Sequence, residues 1–115
     1  MKKVQLGTEL VIPSKENNAT TILKYYMTES PVGFGYSELK SYGVEILKTE
    51  RVPGLKDMNE CKQIQGIFFD IEEAVSFISK IRKDAVIPTK LSKTLENYIL
   101  CKVKKHRSVY KCQAK

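Results

Sequence analysis

The stretch ECKQIQGIFFDIEEAVSFISKIRKDA, residues 60–85, changes its period partway through. Up to Asp70 it suits a strand whose phase shifts near Gly66, as a β-bulge requires. From Asp70 onward the apolar residues recur at helical spacing. Ile71, Ala74, Val75, Ile78 and Ile81 form one stripe, widened by Phe77. Asp70 suits the N-cap, and Glu73 falls three residues on, as in a capping box. Glu72 and Glu73 match the positive end of the helix dipole, and Lys80, Arg82 and Lys83 match the negative end. This switch places strands before residue 70 and helices after it.

Three earlier segments alternate with period two. TELVIP (8–13) reads as a short strand stopped by Pro13, which cannot donate to a ladder. SKENN (14–18) is a polar turn. ATTILKYYMTES (19–30) places Thr21, Leu23, Tyr25 and Met27 on one face, the expected core face because Lys24 lies on the other. PVGFGYSE (31–38) is a loop. LKSYGVEILKTE (39–50) places Tyr42, Val44 and Ile46 inward and Glu45 toward water, with Gly43 marking a bulge or a close neighbour. RVPGLKDMN (51–59) holds a Pro-Gly turn.

Downstream, VIP (86–88) is extended, because the residue before a proline avoids the helical region. Thr89 suits the cap of a second helix over 90–103. Leu91, Leu95, Tyr98, Ile99 and the stem of Lys102 are expected on its inner face. The order predicts an α+β fold: a four-stranded antiparallel sheet followed by two helices packed on one face. Residues 1–103 are expected to form a single domain and 104–115 a basic C-terminal tail.

Two elements carry a resemblance. Tyr42–Ile46 has the pattern Tyr-Gly-Val-Glu-Ile, and Val86–Leu91 has Val-x-Pro-x-x-Leu leading into the last helix. Together with YYMTES they resemble a family of small proteins of unknown function from clostridia and related Firmicutes, over roughly residues 8 to 100. The resemblance implies a structural framework and no catalytic residues.

A chain of 115 residues, 42% hydrophobic and 29% charged, suits one small folded domain. No apolar run approaches the ~18 residues of a membrane span, and the start lacks a signal-peptide core. A cytoplasmic location is expected, with no membrane role. Cys61, Cys101 and Cys112 are odd in number and widely spaced, and His106 is the single histidine. That pattern indicates neither a zinc site nor a redox pair. For Cys61 and Cys101 a half-buried or buried thiol is expected.

The net charge is +7, yet the first 96 residues hold 14 basic and 13 acidic residues. The excess sits in Lys102, Lys104, Lys105, Arg107, Lys111 and Lys115, beyond the last acid, Glu96. The first five are candidate contacts for an anion or a nucleic acid. Tyr26, Tyr36 and Tyr110 are candidate exposed aromatic contacts.

Candidate chemistry is sparse. GFG (33–35) lacks the lysine of a phosphate-binding loop. Helix capping accounts for Asp70, Glu72 and Glu73. Cys101 and His106 have no acid nearby to complete a nucleophilic set. No catalytic residue, metal or cofactor is therefore expected, and the protein is not expected to be an enzyme. The expected function is a small binding and regulatory module acting through protein–protein contacts with a partner yet to be found. The alternative is RNA or DNA binding through the basic segment. A weaker one is a mobile-element inhibitor of a host nuclease, acting without nucleic-acid mimicry because the chain is basic.

Overall fold

The computed structural model describes residues 2–14, 18–31 and 39–113, with side chains as far as Val103. It holds an antiparallel sheet followed by two helices, the expected α+β order. The strands are β1 (Lys2–Gln5), β2 (Leu10–Pro13), β3 (Thr20–Pro31), β4 (Lys40–Arg51) and β5 (Met58–Phe68). The helices are α1 (Ile71–Lys83) and α2 (Leu91–Gln113), the second introduced by a 3₁₀ turn at Pro88–Lys90.

β3 and β4 form the spine, paired from Thr20↔Arg51 to Pro31↔Lys40. β5 lies outside β4. On the other side β1 and β2 share the edge of β3, in register Lys2↔Glu29 and Leu10↔Leu23. The sheet therefore has five strands, where four were expected. Lys2–Gln5 carries a single large apolar residue, Val4, so its strand character comes from the edge it joins. β2 ends at Pro13, as expected of a residue without an N–H.

The core lies between the sheet and the helices. Leu23, Tyr25 and Met27 of β3, Val44 and Ile46 of β4, and Phe68 of β5 meet Ala74, Phe77, Ile78 and Ile81 of α1 and Leu91 and Leu95 of α2. The predicted core faces of β3 and β4 thus pack against the helices, with Thr21 and Tyr42 only half-buried, while Ile22, Thr28 and Glu45 on the opposite face are buried as well. Tyr25 is almost fully buried, and its hydroxyl donates to the Val86 carbonyl at 2.8 Å. Burial pushes its pKa up to about 12, against a lowering influence from Arg82. Phe68, Phe77 and Tyr98 form an aromatic cluster with centroids 5.0–6.1 Å apart.

Two glycines set the joints. At Gly43 the β4–β5 register shifts, and a Cβ there would lie 2.3 Å from the Ile64 carbonyl oxygen and 2.6 Å from Thr28 Oγ1. The extra residues are on β5, where Gly66 has φ 68°, so the expected bulge is present. Gly7 has φ 73° and leads from β1 toward β2. Beside it Arg82 Nε donates to the Thr8 carbonyl and Nη2 to Thr8 Oγ1, each at 3.0 Å.

Several expectations need correction. Asp70 does cap α1, accepting from the Glu72 N–H. Glu73, however, turns its carboxylate across to α2. Ile71 and Val75 are exposed, because α1 buries only the side that rests on the sheet. Ile99 is exposed as well, since α2 packs along Leu91, Leu95 and Tyr98. Thr89 lies inside the 3₁₀ turn, where Pro88 fixes the backbone, and does not cap the helix. Glu45 is on the outer face but buried, covered by its neighbours there.

Candidate functional site

The bulge at Gly66 leaves Met58–Ile64 as the regular part of β5. This run has no strand on its outer side among the described residues, because the sheet order ends at β5. The Ile64 carbonyl faces β4, as its closeness to Gly43 shows. Strand alternation then directs the N–H and C=O of Asn59, Cys61 and Gln63 outward. Beside this edge lies an open groove of about 250 Å³ between Glu60, Cys61 and Lys62 of β5 and Pro88, Thr89 and Ser92. Glu60 lies 3.9 Å from Lys48. Lys62 has no ion-pair partner among the described residues.

On the uncovered face, Glu45 is the centre of a cluster. Its Oε2 lies 2.9 Å from Lys3 Nζ, and its Oε1 accepts from Gln63 Nε2 at 3.2 Å. Lys3 Nζ also stands 4.8 Å from the Tyr26 ring centre. The hydrogen bond to Glu45, and then its charge, raise the Lys3 pKa. Burial, then the charge of Glu45, raise the Cys61 thiol, so it stays protonated near neutral pH. This arrangement matches charge with charge and leaves no activated nucleophile. Tyr26, expected to be exposed, is half-buried beneath Lys3. Cys61 and Cys101, expected at least half-buried, are free and exposed, one on an edge strand and one lining the cleft between α1 and α2 beside Tyr98.

The basic segment is helical, continuing α2 to Gln113, so His106 lies on the helix and not beyond it. Lys102 is committed to the fold: its Nζ pairs with Glu73 Oε1 and stands 5.5 Å from the Tyr98 ring centre. Tyr98 donates to the same carboxylate oxygen at 3.4 Å. The hydrogen bond that Lys102 donates to Glu73 is the main cause that raises its pKa. Eleven residues of α2 follow Lys102, about 16 Å of helix, while α1 has two before Glu73, about 3 Å. The end of α2 therefore runs past the end of α1. Along it the backbone positions of Lys104, Arg107 and Lys111 fall on one side, opposite Leu91, Leu95 and Tyr98. The side chains of Lys104, Lys105, Arg107, Tyr110 and Lys111, and all of Tyr36 and the 32–38 segment, lie outside the described residues.

Among the described residues no group of three or more His, Cys, Asp or Glu side chains could hold a metal ion, and no helix is long and apolar enough to cross a membrane. The residues that sequence reasoning missed are Glu60, Cys61, Lys62 and Gln63. The bulge at Gly66 was their one signal, since it marks where regular pairing stops.

Fold and surface together define a small α+β domain with a long free sheet edge at β5, short edge strands β1 and β2 at the other end, and a helix projecting from its packed layer. The chain belongs to the family of unknown function DUF6514, whose family model matches residues 8–100. Neither a curated protein nor a solved structure matches it. The matched span omits β1 and stops within α2, before the basic half.

Proposed function

We propose that the protein is a small binding and regulatory module that acts through protein–protein contacts, using β5 as its docking edge. The observation behind this reading is the regular run Met58–Ile64, with an unpaired outer side next to the groove at Pro88–Ser92. An extended segment of a partner would add as a further strand, its main chain bonding to Asn59, Cys61 and Gln63. The reading is of a binding role, and it is supported by a surface whose buried carboxylate, Glu45, is held in an ion pair with Lys3. A cytoplasmic location fits the two free thiols.

Affinity capture from the native host tests this reading, with Cys61→Pro as control. Proline at 61 removes an outward donor while sparing the β4 ladder. The expected outcome is a specific protein retained by the wild type and lost by a folded Cys61→Pro variant. Capture of no specific protein at any salt, or capture that ignores this substitution, would sink the reading.

A second reading rests on a separate observation, the helical continuation of α2 to Gln113. We propose RNA or DNA binding through Lys104, Lys105, Arg107 and Lys111, with Lys102 held back by Glu73. Binding should fall steeply with salt and vanish in a form ending at Leu100. Equal affinity in both forms, or none with either nucleic acid, removes it.

A further inference from the structure

The docking edge has a self-complementary sequence. Met58–Ile64 reads MNECKQI, and its midpoint is Cys61. Two such edges placed antiparallel about a twofold axis through Cys61 would bring Glu60 opposite Lys62 of the second copy, and the reverse. Asn59 would meet Gln63, and Met58 would meet Ile64. The neighbouring registers lack this match: centring on residue 60 opposes two glutamates, and centring on 62 opposes two lysines. Among the described residues Lys62 has no ion pair to lose, and Glu60 has the 3.9 Å contact with Lys48 to give up or share. The N–H and C=O of Cys61 face outward, so the central pair is a hydrogen-bonded one. Charged residues on an edge strand ordinarily block association. Here their alternation in sign favours one partner register.

We propose that the protein self-associates through β5, forming a twofold dimer with a continuous ten-stranded sheet centred on Cys61. The proposal rests on the reading of β5 as a docking edge and names a second copy of the chain as its occupant. Directly opposed residues of a hydrogen-bonded antiparallel pair lie about 5.5 Å apart, within the span of a disulfide. Cys61 can therefore report the register. With oxidised glutathione as oxidant, the two thiols give one intermolecular disulfide, and the oxidant is released as two molecules of glutathione.

Sedimentation analysis of the full chain over a range of concentrations tests the dimer. Lys62→Glu and Glu60→Lys should each weaken it about tenfold or more, because two cross-strand pairs turn repulsive. The double exchange Glu60→Lys with Lys62→Glu should restore it. In a Cys101→Ser, Cys112→Ser form, oxidised glutathione should trap a dimer that Cys61→Ser abolishes. A chain monomeric at every concentration overturns the proposal, as does a dimer indifferent to either single reversal. The two readings separate cleanly: a monomer that still captures a partner in a Cys61-dependent way loses the dimer and keeps the docking edge. A monomer without such capture loses both.

Discussion

The two edges of the sheet solve the same problem in opposite ways. The edge of β3 is closed by two short strands: β1 and β2 take its two halves, each with its own outer side unpaired among the described residues, and Arg82 ties the turn between them to α1. Beyond β5, the edge stays open and its protection is a bulge with alternating charge. An edge closed by short strands depends on local ties, while an open edge depends on the strand behind it being held rigidly. The contrast teaches that the β5 edge is held in shape from behind, by its pairing with β4 and the close approach at Gly43.

The sharpest way to break this contrast is Gly43→Ala. The added methyl would collide with the Ile64 carbonyl and the Gln65 backbone, which cannot move without displacing β5. A loss of about 3 kcal/mol is expected in denaturant titration, with loss of any β5-dependent binding. Retained stability would show that the open edge is looser than its geometry indicates.

High pH probes the core beneath both edges. Tyr25 has a folded pKa raised to about 12, so it favours folding below the unfolded value near 10. That contribution should be lost as pH rises from about 10 through 12, by an amount on the order of 2 kcal/mol. Tyr25→Phe should flatten this alkaline decline while costing about 1 kcal/mol at neutral pH from the unpaired Val86 carbonyl. An unchanged decline would remove Tyr25 as its cause.

Arg82→Ala should loosen the closed edge alone. Two hydrogen bonds to Thr8 disappear, for about 1 kcal/mol, and amide exchange should quicken in β1 and β2 more than in β5. Uniform quickening would mean that the edges are not independent. The smallest effect belongs to Lys3→Ala. The lysine is half exposed, so denaturant titration at moderate salt should barely register the change, although β1 exchange should still report it.

The elements were legible where their pattern was intrinsic. Asp70 and the stripe from Ala74 to Ile81 announce α1, and the broken phase at Gly66 announces the bulge. Elements that borrow their structure were not legible. Lys2–Gln5 is a strand because β3 offers an edge. Glu45 was placed on the correct face, but its burial comes from Lys3 and Gln63, distant in sequence and adjacent only in register. The free edge was hidden for the same reason: nothing in Glu60–Gln63 says that no strand follows outside it. Lys102 shows the limit of counting charges, since Glu73 claims one that composition assigned to a ligand.

The unbroken run of α2 from the buried Leu91 to Gln113 has a mechanical consequence. A continuous helix behaves as a splined shaft, so anything borne by its last turns keeps a fixed rotational phase to the sheet. One residue inserted after Val103 would turn the following positions by about 100° and advance them by about 1.5 Å. Seven inserted residues would return them nearly to phase, about 10 Å farther out. The reach and the aim of this end can therefore be tuned separately by inserted length alone.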